Sequence, residues 1–227
     1  MIASTATENI EAWDIPGALS AFPGMSIAPA YSNIITLSGW LDFNAMKPDH
    51  DAVIDSFELK IEISFDQPLT IPMVTPLGNR IPKDFHRLQG GALCLGSPTR
   101  QKLVVHQDPK LRSFIEKCVI PYLYAFVLHE QGKPLPFGEL KHGRRGIIDD
   151  FMDIYGVGSE DVAKELLRLT GRPRRKANHQ NCPCGSKKRL GRCHNRIVNK
   201  LRSALGRLWF RDQYITISGG MRKDIEH

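Results

Sequence analysis

From Phe57 to Phe65 every second residue is apolar: Phe57, Leu59, Ile61, Ile63 and Phe65 alternate with Glu58, Lys60, Glu62 and Ser64. Successive side chains of a strand point to opposite faces, so the run predicts an antiparallel strand with one buried and one wet face. Ile35, Leu37, Leu41 and Phe43 keep a single strand phase, interrupted at Gly39. Pro48-Asp49-His50-Asp51 lies between the two runs and has turn chemistry, which predicts a hairpin. Prolines at 68, 72, 76 and 82 leave room for a short strand around Ile71 to Thr75, at an edge or with a bulge. Leu111, Phe114, Ile115, Cys118, Val119, Tyr122, Leu123 and Phe126 then recur at helical spacing, and Pro121 should kink that helix or begin a second one. Cys118 lies on the apolar stripe and reads as a core residue. Further helices are expected from Arg145 to Ile154, from an N-cap at Ser159 to Gly171, and from Asn195 to Phe210. Glu160 and Asp161 suit the first turn of the second of these. Pro16, Pro23 and Pro29 allow the first thirty residues at most one short helix, around Thr7 to Trp13. Tyr214 to Ile217 could be a strand. Strands followed by helices make the fold class α+β.

Composition narrows the setting. A chain of 227 residues, 41% hydrophobic, with a mean hydropathy of -0.27, suits a soluble globular protein of one domain with an appendage, or two small ones. Glu8, Glu11 and Asp14 come early, and no basic region precedes an apolar core, so no signal peptide is expected. The longest apolar run, Val119 to Leu128, contains Pro121 and is too short to span a bilayer. A cytoplasmic protein with no membrane partner is therefore expected, and there cysteines serve as ligands or nucleophiles more often than as disulfides. The net charge of +7 is concentrated: Lys164 to Arg202 holds thirteen Lys or Arg against one acid, Glu165. Such a segment suits nucleic acid or an acidic protein surface, or is simply a solvated face around a metal knuckle. It lacks the interleaved aromatics of single-strand binders.

The most specific string is Cys182-Pro-Cys-Gly-Ser-Lys-Lys-Arg-Leu-Gly-Arg-Cys-His194. Its three thiols and one imidazole, Cys182, Cys184, Cys193 and His194, supply the four donors of a tetrahedral zinc site. Cys182 and Cys184 are two apart, so an extended segment points both sulfurs to one side. Structural zinc is the expected cofactor.

Cys94 is the other notable thiol. Leu93 and Leu95 fit a small buried hydrophobe, whereas Gly90, Gly91 and Gly96 suit a loop that another chain approaches closely. His86 and His106 flank it at a distance in sequence, and either could polarise the thiol or donate to an oxyanion. Both roles for Cys94 stay open on composition alone.

The order of these features resembles the ubiquitin-conjugating-enzyme fold, and in particular its divergent bacterial relatives. The resemblance rests on antiparallel strands, a proline-rich segment, His86, the loop Gly91-Ala92-Leu93-Cys94-Leu95 and, after the helix, Gly138-Glu139-Leu140-Lys141-His142-Gly143. It covers roughly Ile34 to Tyr155. It implies an antiparallel sheet packed with helices, and Cys94 as a nucleophile that carries a protein C-terminus as a thioester and passes it to an amine. His86 would serve as polariser or oxyanion donor, with Glu139 and His142 as further candidates or as a pair that fixes the loop. The eukaryotic His-Pro-Asn triplet has no counterpart, since His86 is followed by Arg87 and Leu88.

The cysteine-rich string is similar to the zinc-binding motif at the C-terminus of the SecA translocation ATPase. It departs from that motif after Ser186, where Lys187 replaces the usual glycine. Bacterial conjugating-enzyme relatives of this type occur in the antiphage operons called CBASS, where they handle the C-terminus of a partner nucleotidyltransferase. The resemblance therefore implies such a partner, of the CD-NTase type. Because no nucleotide-binding fingerprint is present, it also implies a separate activating enzyme or a pre-activated substrate. The domains expected are a conjugating-enzyme-like domain over 1–158, a helix and basic linker over 159–180, and a zinc knuckle with basic helix and tail over 181–227. A non-catalytic adaptor of the same fold and a zinc-dependent nucleic-acid-binding protein are the rival readings.

Overall fold

The structure is a computed structural model, which describes residues 10–29, 33–64, 70–136 and 143–219. It is a mixed α and β chain that divides into two compact units, 1–139 and 140–227.

The first unit opens with α1 (Ile15–Ala21), capped by the Asp14 carboxylate, which accepts from the Gly17 backbone N–H at 3.3 Å. An antiparallel meander follows, in the order β1 (Met25–Ile27), β2 (Ile34–Ala45), β3 (Val53–Ser64) and β4 (Met73–Pro76). The hairpin expected from the alternation is present: β2 pairs with β3 from Ile34↔Ser64 to Ala45↔Val53. Phe65 lies outside the described residues. Gly39 does not interrupt β2. It carries φ +137°, and a Cβ there would stand 2.2 Å from the Gly24 carbonyl oxygen, so the glycine is what lets β1 cross close to β2. The proline-flanked strand forms at the sheet edge, as β4.

The inner face of this sheet buries Leu37, Leu41, Leu59, Ile61 and Ile63. Against it pack Ile15 of α1 and the residues Leu111, Phe114, Val119, Leu123 and Phe126. These last sit on α3 (Leu111–Phe114), a π turn (Ile115–Val119) and α4 (Ile120–Glu130), which run on without a break. Pro121 lies at the start of α4, and the wider π turn before it absorbs the mismatch left by a proline that has no N–H to donate. Cys118 is buried, and burial pushes its thiol up to about 11, as a core residue requires. The helix α2 (Pro98–Gln107) was not anticipated, although Ser97 and Pro98 form a legible start: the Ser97 side chain accepts from the Arg100 N–H at 3.3 Å. The short helix expected at Thr7–Trp13 falls partly outside the described residues. Within them, residues 10–12 are helical and α1 is the fuller element.

The second unit is helical: α5 (Gly143–Tyr155), α6 (Glu160–Thr170), α7 (Arg174–Asn178), a 3-10 turn (Leu190–Arg192) and α8 (Asn195–Ile217). Here the boundary placed at 158 needs correction. The α5 helix belongs to the second unit, because Phe151 meets the ring of Phe210 at 6.4 Å and the Tyr155 hydroxyl lies 2.8 Å from the Thr170 hydroxyl. That hydroxyl in turn donates to the Leu166 carbonyl at 2.8 Å. Linker and knuckle are likewise part of this one unit and not separate pieces. The linker contains α7, and Tyr214 to Ile217 end α8 as helix, not strand. Ser159 sits at the N-cap of α6 but makes no side-chain capping bond, so Glu160 and Asp161 alone complement that helix end. At Gly206, φ 75° breaks the helical geometry and kinks α8. No helix among the described residues is long and apolar enough to cross a membrane.

Candidate functional site

Cys94 lies on a tight two-stranded loop between β4 and α2. Arg87 and Leu93 form an isolated antiparallel bridge, the Leu88 N–H donates to the Ala92 carbonyl, and the Cys94 N–H donates to the His86 carbonyl, both at 2.8 Å. His86 and Cys94 are therefore directly opposite each other, as cross-strand neighbours are. Their separation of eight residues is closed by the turn at Gly90-Gly91, where Gly91 has φ +86°. His106 is not brought to this loop: it lies exposed in the last turn of α2, whose first turn follows Cys94. Glu139 and His142 lie outside the described residues.

Three side chains fix the loop, and none was singled out from the sequence. Arg87 donates from Nε (2.9 Å) and Nη2 (2.6 Å) to the Gly91 carbonyl, and from Nη1 to that of Ile81 (3.2 Å). Tyr122 donates its hydroxyl to the Phe85 carbonyl at 2.9 Å, and burial pushes its phenol well above the ordinary range. Gln101, itself buried, donates to the Gly96 carbonyl at 2.9 Å. Tyr122 belongs to the apolar stripe of the helix, so its one legible signal was a hydroxyl on a core face. Leu93 is buried and donates its N–H to the Val74 carbonyl at 2.7 Å, which ties the loop to the sheet edge. Cys94 itself is half-buried. The loop thus presents the Cys94 thiol on a backbone held at both ends.

The second cluster is in the other unit. Asn181 and Arg189 form an antiparallel bridge, and the Cys182 N–H donates to the Lys188 carbonyl at 2.8 Å, so residues 183–187 fold into a turn. Gly185 (φ 79°) and Lys187 (φ 58°) both adopt the left-handed conformation there. The 3-10 turn buries Leu190 and delivers Cys193, and His194 stands at the N-cap of α8. The donor atoms of Cys182, Cys184, Cys193 and His194 all lie within 4.8 Å of one another, a group that could hold a metal ion. Cys182 Sγ is 3.1 Å and Cys193 Sγ 3.3 Å from His194 Nδ1, and the Cys184 and Cys193 sulfurs are 3.5 Å apart. A tetrahedral zinc ion with Zn–S near ~2.3 Å and Zn–N near ~2.0 Å needs edges of roughly 3.5–3.8 Å. The three short pairs fit those edges with shifts of a few tenths of an ångström, and the wider separations, up to 4.8 Å, close with a contraction of about an ångström. The first two thiols differ: burial pushes Cys182 up to about 11, and the Ser186 hydroxyl beside Cys184 lowers that thiol to about 6. All four sequence-predicted metal ligands are thus brought together, as their spacing required.

No protein-family model, curated protein or solved structure matches this chain.

Proposed function

We propose that the first unit is a ubiquitin-conjugating-like transferase in which Cys94 carries a protein C-terminus as a thioester. The observation that carries this reading is the Cys94 loop itself: a half-buried thiol, opposite His86, on a backbone clamped by Arg87, Tyr122 and Gln101 after a four-stranded meander. In the first step the Cys94 thiolate attacks an activated acyl carbon. The bond to its carrier breaks, and a new thioester forms on Sγ. In the second step an acceptor amine attacks that carbonyl, the amide forms, and the Cys94 thiolate leaves while the amine proton passes to a base. An ordinary thiol is only a few per cent thiolate at neutral pH, so positioning supplies much of the rate. His86 acts as polariser or oxyanion donor. The chain needs a separate activating enzyme or a pre-activated substrate. A nucleotidyltransferase partner in bacterial antiphage defence suits the family resemblance. The knuckle of the second unit takes structural zinc, since three thiolates and an imidazole match its preference for soft, tetrahedral ligation.

The test is to trap the intermediate. The protein is co-expressed with its neighbouring operon genes as wild type, Cys94→Ala and Cys94→Lys, and run on non-reducing gels. Wild type is expected to carry a thiol-sensitive adduct, Cys94→Ala none, and Cys94→Lys one that survives reductant and identifies the modifier by mass. Absence of any adduct with activating components present, together with full biological activity of Cys94→Ala, overturns catalysis and leaves a non-catalytic adaptor.

A further inference from the structure

We propose that the second unit binds the phosphate backbone of duplex nucleic acid in an arginine-lined cleft, independently of the chemistry at Cys94. The cleft is broad and open to solvent, has a volume of about 320 Å³ and is lined by Arg172, Arg174, Asn199, Arg202, Ser203 and Arg207. It lies where the end of α6 and the start of α7 face α8. Four guanidinium groups thus share one concavity without a single acid or aromatic ring in its wall.

Arg202 is fixed in place. Its Nε donates to the Thr170 carbonyl at 2.9 Å, its Nη2 to the Leu169 carbonyl at 2.5 Å and its Nη1 to the Asn199 side-chain oxygen at 3.2 Å. It therefore answers the open carbonyls at the end of α6 and keeps two of its five N–H groups for another partner. Arg172, Arg174 and Arg207 are exposed, and none pairs with a carboxylate among the described residues. Burial chiefly, and the charge of nearby Arg174 in addition, disfavour the Arg202 cation. Like charges gathered without a counter-charge repel, and an anion between them relieves that repulsion.

The chemistry of the lining identifies the ligand. Planar guanidinium groups present paired donors that match phosphate oxygens. With no ring in the wall, the cleft lacks the aromatic platform on which single-strand binders stack successive bases, which favours a duplex backbone. The cations also continue along α8: exposed Arg196 and Lys200 precede Ser203 at the three- and four-residue spacing of one helix face. That row is about 10 Å long from Arg196 to Ser203, and an extended line of charge suits a repeating phosphate backbone better than one free anion.

The test uses the full zinc-loaded chain and fluorescence anisotropy with labelled duplex RNA and duplex DNA of about 20 base pairs, between about 50 and 200 mM salt. Arg174→Glu combined with Arg207→Glu is expected to weaken binding at least about tenfold and to lower the salt slope by about two. Lys187→Glu with Lys188→Glu makes the same change of net charge on the knuckle and is expected to weaken it much less. Metal content and circular dichroism check the fold, and Arg174→Gln with Arg207→Gln is the milder second pair, expected to show the same ranking. Equal losses in the cleft and knuckle variants overturn the proposal, because binding would then follow net charge alone. So does the absence of duplex binding at the lowest salt. Competition by inorganic tripolyphosphate as effective as duplex, phosphate for phosphate, assigns the cleft to a small anion and also overturns it.

Discussion

Lys187 adopts φ 58°, a left-handed conformation that costs an L-residue with a Cβ about 1–2 kcal/mol. It follows Ser186 inside the turn that separates Cys184 from Cys193, so a residue with a Cβ stands where the backbone favours glycine. The turn still closes, because the Ser186 hydroxyl accepts from the Lys188 N–H at 3.4 Å and the ligand sulfurs converge regardless. Replacing Lys187 by glycine removes the strain but adds backbone entropy to the unfolded chain, for a net gain of about 0.5–1 kcal/mol. Since metal binding and folding of such a knuckle are coupled, Lys187→Gly is expected to bind zinc roughly two- to fivefold more tightly in competition with a chromophoric chelator. An unchanged or weaker affinity would show that the left-handed position is not a source of strain. At this scale the ligands were legible in the sequence, because four donors within thirteen residues can be placed by local geometry. The clamp residues of the Cys94 loop were not legible: Arg87 and Gln101 reach nearby carbonyls through irregular loop geometry that has no periodic pattern, and Tyr122 reaches the Phe85 carbonyl from a helix far along the chain.

Between elements, one charged network ties β3 to the end of α4. Arg80 donates to both carboxylate oxygens of Asp55 (2.8 and 2.7 Å) and to Glu130 (3.1 and 2.6 Å), with its guanidinium 4.5 Å above the ring of Phe57. The arginine is substantially exposed, so each ion pair is worth under about 1 kcal/mol, and the ring contact adds about 0.5–1 kcal/mol. Arg80→Ala is expected to cost about 1–2 kcal/mol at neutral pH, read from urea midpoints. The Arg80 hydrogen bonds hold the Asp55 carboxyl below its ordinary range. Its contribution is therefore complete above the unfolded value near ~4 and is lost as pH falls through the lower folded value. The gap between wild type and Arg80→Ala should narrow on acidification and keep only the contact with Phe57. A gap that widens in acid would contradict this assignment. The strands around the network were readable from their period of two. By contrast β1, with three residues, and α2, whose residues show no sustained apolar face, carry too little periodic signal to be seen.

On the scale of the whole molecule, the division at 139/140 separates Cys94 from the metal cluster, each in its own compact unit. If the Cys182, Cys184, Cys193 and His194 cluster takes the proposed zinc ion, the knuckle depends on it, because metal binding in small zinc peptides supplies roughly 10–16 kcal/mol of apparent free energy. Cys193→Ser, or chelation, is expected to remove the metal and lower the stability of the second unit, while the alkylation rate of the Cys94 thiol stays within about twofold of wild type. Metal analysis alongside a timed thiol-labelling assay checks both halves. Joint loss of metal and of ordered Cys94 reactivity would mean that the two units fold as one. The boundary itself was misplaced in the sequence because Arg145 to Ile154 reads as an amphipathic helix with nothing to say which core takes its apolar face. Phe210, some sixty residues later, takes it.

By itself the sequence determined the features whose physics is local: the β2–β3 hairpin, the apolar stripe from Leu111 to Phe126, and the cluster of Cys182, Cys184, Cys193 and His194. Alternation, helical spacing and short ligand separations are complete within a few dozen residues. Tertiary structure decided what depends on distant chain meeting. It set Tyr122 beneath the loop of Cys94, gave α5 to the second unit and gathered Arg172, Arg174, Arg202 and Arg207 around one cleft. A run of basic residues states how much charge a segment carries, but only the packing of helices decides which of those charges face one another.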